Sequence, residues 1–179
     1  MNKTSNSVLL LTAVLALIYV NLNAWQSRQI KLRGETLFLE LAPVDPLSLV
    51  QGQYMRLRFE IEKRYDATQE DQDTIDNAHG IVLATLDLDN KRIGTLTGLL
   101  PINQQQQTDG TLQFRVRARL RDSGSSYLIR IEQNSFLFQE NTEDRYAEAK
   151  YGLFRVNEDG RYVLVDLADK HLQLLTPQP

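Results

Sequence analysis

The chain of 179 residues contains no cysteine. That absence removes disulfides, thiolate metal sites, cysteine nucleophiles and an acylated lipoprotein anchor from consideration. Histidine is almost as scarce. His79 and His171 are the only two, far apart and outside any ligand spacing such as H-x-x-x-H, so no histidine metal centre is expected. There is no excess of positive charge either: 20 lysines and arginines face 23 aspartates and glutamates, for a formal net charge of -3, which speaks against a nucleic-acid partner. No linker rich in glycine, serine or proline and no internal repeat interrupts the sequence, so one domain, residues 26–179, is expected to follow a distinct N-terminal segment.

That segment, residues 1–25, is the one long hydrophobic feature. Val8 to Val20 is apolar and uncharged, and continuing through Asn21, Leu22, Asn23 and Ala24 to Trp25 brings it to the lower limit of about 17 residues for a spanning helix, with Trp25 as an interfacial anchor. A retained membrane anchor, inserted in the bilayer through residues 8–25, is favoured over a cleaved signal, because Leu22 suits a cleavage site after Ala24 poorly. Arg28, Lys31 and Arg33 after the segment outnumber Lys3 before it, which opposes export by the positive-inside rule. Export of the domain is expected despite this.

From Glu35 onward the dominant period is two, the pattern of half-buried strands. The expected fold is mainly β, a single antiparallel sandwich or barrel-like domain with one short helix. Thr36 to Leu41 alternates, and Met55, Leu57, Phe59 and Ile61 form an inner face opposite Arg56, Arg58 and Glu60. Arg64 to Asn77 reads as a solvated acidic loop. Gly80 to Asp87 and Arg92 to Leu100 make a hairpin about Asp89-Asn90. The strongest alternation places Leu112, Phe114, Val116, Ala118 and Leu120 inward against Gln113, Arg115, Arg117, Arg119 and Arg121. Tyr127 to Ile131 and Phe136 to Phe138 are short strands. Asn141 or Thr142 caps a helix, with Glu143 and Asp144 at its positive end and Lys150 at its negative end. Tyr151 to Val156 and Tyr162 to Leu167 make a second hairpin closed by Gly160, and His171 to Leu175 offers an edge strand.

The segment Pro43-Val44-Asp45-Pro46, followed by Gly52-Gln53-Tyr54-Met55-Arg56-Leu57-Arg58-Phe59, pairs a proline-fixed turn with a glycine and then a strand. It resembles the signature of the GDYXXLXY protein family, with Gln53 where that family usually has aspartate and Phe59 in place of its second tyrosine. A second match, Ala149-Lys150-Tyr151-Gly152-Leu153-Phe154-Arg155-Val156 running to Gly160 and then Val163 to Leu167, follows in order. The resemblance covers most of the chain and marks Asp45, Pro46, Gly52, Tyr54, Leu57, Phe59, Tyr151, Gly152 and Gly160 as motif residues. It implies a membrane-associated bacterial protein, in whose relatives the domain often lies next to or is fused with a polytopic membrane protein. No activity is established for that family.

Candidate chemistry is thin. The turn faintly resembles the nucleophile segment of signal peptidases, but no serine precedes it, Ser48 follows it, and no lysine base is in place. Asp66, Glu70, Asp71, Asp73 and Asp76, or Asp87 and Asp89, offer oxygens without the glycine and converging spacing a hard cation needs, and Ile75 interrupts them. Arg56 and Arg58 on one strand and Arg115, Arg117, Arg119 and Arg121 on another form an anion-binding face if those strands are neighbours. Otherwise Glu60, Asp87, Asp89 and Glu132 pair with them across a solvated sheet. Tyr54 falls out of phase with the inner face and should point away from that core. The expected function is a non-enzymatic accessory or interaction domain, without catalytic, cofactor or metal residues. It is expected to hang from the bacterial inner membrane, face the periplasm and partner an integral membrane protein. The alternative is a small-ligand or anion-binding domain, or an enzyme, with a site near Asp45, Tyr54 and the arginines.

Overall fold

The computed structural model describes all residues except 1–2, 44–49, 52–53, 63, 67, 105–109, 121–125, 139–141 and 177–179. A single helix, α1 (Lys3–Arg33), opens the chain. Its part from Val8 onward is long and apolar enough to cross a membrane, and the side chains from Val8 to Trp25 are all exposed. Such a surface is what lipid rather than water favours, since every backbone group is satisfied within the helix and the apolar side chains cover it.

The remainder is mainly β, in three antiparallel sheets. One orders β1 (Glu35–Glu40), β10 (Tyr151–Val156) and β11 (Tyr162–Ala168). The largest orders β4 (Arg64–Asp66), β8 (Ser126–Arg130), β7 (Thr111–Leu120), β5 (Ile81–Leu88) and β6 (Gly94–Leu100). A small one joins β2 (Val50–Gln51), β3 (Tyr54–Arg56) and β9 (Ser135–Leu137). Isolated bridges Phe38 to Ile93 and Leu41 to Phe59 stitch the first sheet to the other two. One core fills the space between: Leu37, Leu39, Phe154 and Val156 from one side meet Val82, Leu86, Phe114 and Ile129 from the other. The alternation of β7 holds, with Leu112, Phe114, Val116 and Ala118 buried. A bulge in β11 skips Val165, so that Leu153 stands opposite Asp166 and Phe154 opposite Leu164, while β10 keeps an unbroken register with β1; Leu153 and Phe154, on opposite faces of this central strand, are both buried.

The short helix α3 (Glu143–Tyr146) starts after Thr142 as expected but ends before Lys150, which pairs with Glu40 at 3.0 Å instead; both hairpins lie where the sequence puts them. Three elements do not. The acidic stretch is β4 followed by a helix, α2 (Gln69–Asn77), rather than a loop. Thr68 and Asp71 form a reciprocal capping box, Asp71 also accepts the Tyr65 hydroxyl at 2.9 Å, and Ile75 is buried in the core. The strand after Gly52 is shorter than its alternation: β3 ends at Arg56, Phe59 keeps one bridge to Leu41, and Glu60–Glu62 is a 3-10 turn that leaves Ile61 half-buried. Its partner β9 is only three residues long, so there is no ladder to prolong it. His171 to Leu175 forms a single bridge, Ala168 to Leu174, because the Asp169 carboxylate accepts the His171 and Gln173 amides and curls the chain, with Leu172 at φ 63°.

Candidate functional site: a signature divided between core and surface

Asp45, Pro46 and Gly52 lie outside the described residues. Of the remaining motif residues, Phe59 and Gly152 meet at one seam, whereas Tyr54 and Gly160 lie apart from it. Phe59 is buried, with its ring edge-on to Phe154 at 5.2 Å between centroids. Gly152 sits between Leu39 on β1 and Leu167 on β11, and a Cβ added there would lie 2.7 Å from the Phe59 ring. Glycine at 152 is therefore the space into which Phe59 fits. The two sequence matches, far apart along the chain, are halves of one packing contact. Leu57 is buried beside it, and Tyr151 is half-buried opposite Glu40. Glu62 fastens the seam, accepting the Phe59 amide at 3.0 Å with one carboxylate oxygen and the Ile131 amide at 2.9 Å with the other.

Gly160 closes the second hairpin at φ 72°, a conformation that side chains resist. Its carbonyl accepts the Arg115 amide at 2.9 Å, and a Cβ would meet Leu83 at 2.6 Å, so the hairpin tip lies flat on the five-stranded sheet. Behind it Tyr162 stacks on Phe114 at 4.1 Å and receives the Glu132 amide on its hydroxyl. Burial in this aromatic cluster pushes the Tyr162 phenol up to about 12. Tyr65 is likewise pushed up to about 12, by burial first and then by its bond to Asp71.

Tyr54 points the other way, as its phase indicates. It is 38% exposed and stands opposite Leu137, which is 77% exposed, while the next pair, Met55 and Phe136, turns inward. An aromatic and a large aliphatic side chain thus form an outward cross-strand pair, with Arg56 exposed on the same face.

The six arginines do not form one face. Arg56 belongs to the small sheet and Arg115, Arg117 and Arg119 to the large one, so the strands are not neighbours; Arg121 lies outside the described residues. Of the acids suggested as partners, Glu132 pairs with Arg117 at 2.6 Å. Asp89 instead accepts the Lys91 and Ile93 amides in its own turn, and Asp87 lies opposite Thr95 and Thr111. The register supplies an arginine that the sequence reading missed: Arg130 on β8 stands directly opposite Arg117. Asp166 was missed too; it is buried and accepts the Thr176 hydroxyl at 2.7 Å, holding the C-terminal tail to the core.

The foot of α1 docks on this domain. Ile30 is buried, Gln26 accepts from Arg161 at 2.6 Å, and the Gly34 carbonyl accepts from Arg155 at 3.2 Å. Gly34 permits the close approach, since a Cβ there would fall within 2.9 Å of the Val156 backbone. Open crevices of about 830 and 340 Å³ flank the helix on either side of Ile30.

These features define a β domain carried on an N-terminal apolar helix, with its two motif segments interlocked. The profile of the GDYXXLXY protein family matches residues 16–167, and the chain belongs to that family. No curated protein and no solved structure matches it.

Proposed function

We propose that this chain is a membrane-anchored, non-enzymatic interaction domain that faces the periplasm from the bacterial inner membrane and joins an integral membrane protein through the Tyr54–Leu137 face. The observation that carries this reading is the outward pair itself: tyrosine combines apolar area with one polar handle, and a large aliphatic group beside it at 77% exposure is what an interface anchor looks like before its partner is present. The helix supports it by holding the domain at the membrane through Ile30, Gln26 and Gly34, which limits partners to proteins within reach of the bilayer. The resemblance to relatives encoded beside or fused with polytopic proteins agrees.

The test is the size of the assembly in gently solubilised membranes. We expect the chain to migrate with a second membrane protein and the Tyr54→Ala/Leu137→Ser variant to migrate alone. A wild-type chain that is monomeric and unassociated there would overturn the proposal.

A further inference from the structure

We infer that the outer face of the five-stranded sheet, bearing Arg115, Arg117, Arg119 and Arg130, is a docking surface for anionic lipid headgroups. Thr111, Leu112 and Gln113 of β7 border the same crevice as Trp25, Gln29 and Arg33 of the helix, whereas Arg115 and Val116 border the one that reaches Asn23 and Ser27; Gln26 and Ile30 line both. Following β7 towards its C-terminal end is therefore following α1 back towards its apolar part. At about 3.3 Å per residue, the same strand carries Arg117 and Arg119 further in that direction, beside the place where the helix enters lipid. The hairpin tip agrees: Arg161 bonds Gln26, the residue after Trp25, and Gly160 bonds Arg115.

The charge on this face is only partly answered among the described residues. Arg117 and Arg130 are direct cross-strand neighbours, and like charges so placed repel. Glu132 answers Arg117, and Arg115 donates its Nε–H to the Asp159 carbonyl at 2.9 Å, but Arg119 and Arg130 are exposed and have no carboxylate partner among the described residues. Guanidinium forks suit phosphate oxygens, and an anionic bilayer surface is the source of phosphate that α1, seated in lipid as proposed above, brings within reach. The contact orients the domain on the membrane rather than merely tethering it.

Native mass spectrometry of the full chain alone, released from micelles doped with phosphatidylglycerol or phosphatidylcholine, tests this without any protein partner, so its outcome is independent of the Tyr54 reading. The wild type should retain phosphatidylglycerol in preference to phosphatidylcholine. Arg119→Gln/Arg130→Gln should lower that preference by about fivefold or more, and Arg119→Lys/Arg130→Lys should keep most of it. Equal retention of both lipids by the wild type, or a preference unchanged in the glutamine variant, would overturn the inference. Both arginines are exposed, so neither variant threatens the fold.

Discussion

Tyr54 and Phe59 belong to one short signature, yet one side chain is 38% exposed and the other 1%. Between them the chain ceases to be a strand: the three-residue β3 gives way to a single bridge at Phe59 and a 3-10 turn. Tyr54 faces out with Leu137, while Phe59 is received by Gly152, Phe154 and the Glu62 carboxylate. A compact sequence signature therefore need not mark a compact site. Its inner half specifies how two distant segments lock together, and its outer half presents a surface. The inner half should answer to measurements of stability and the outer half to measurements of association.

Phe59→Ala should have the largest effect on the inner half. Removing a fully buried ring from the seam should cost about 3–5 kcal/mol in chemical denaturation of the full chain in micelles, by lost burial and the cavity left behind. Gly152→Ala approaches the seam from its other side. The added methyl displaces the Phe59 ring, and overpacking of this kind costs about 1–3 kcal/mol in the same assay. If Gly152→Ala is neutral, the two motif segments are not interlocked as described.

Alkali should act on the inner region as well. Tyr65 and Tyr162 have phenol values raised from 10.0 to about 12 in the folded state, so folding favours their neutral forms. Their contribution is complete below pH 10, the ordinary tyrosine value, and is lost as pH rises through about 12. Tm measured across that window should fall, and Tyr162→Phe should flatten the fall by removing one of the titrating groups. Smaller again is Thr68→Ala, which opens the capping box of α2 and should cost about 1 kcal/mol. At the far end lies Tyr54→Ala, expected to change stability by no more than about 0.5 kcal/mol while abolishing association.

Much of this division was legible in the sequence. The period-two pattern identified β7, whose Leu112, Phe114, Val116 and Ala118 enter the core, the turn residues marked both hairpins, and the same phase argument turned Tyr54 outward. Acidic composition misled at Arg64 to Asn77: charge density suggested a loop, whereas Thr68 and Asp71 carry the three-residue spacing of a capping box and Ile75 supplies the buried anchor. The arginines show a second limit. Alternation says that Arg56 and Arg115 both leave the core, but strand order decides whether they share a surface, and strand order arises from pairings between distant segments. For the same reason Arg130 gained significance only from its register with Arg117. The docking of Ile30 was hidden because the spanning run draws attention to the hydrophobicity of α1 and away from its last turns.

The claim that the signature has an outward, partner-binding half is tested most directly by a photocrosslinking residue placed at position 54 in native membranes, with the adducts identified by mass spectrometry. The account predicts one discrete adduct with an integral membrane protein, lost when Leu137→Asp is added. Self-adducts alone, or none, would contradict it and return Tyr54 to a purely structural role.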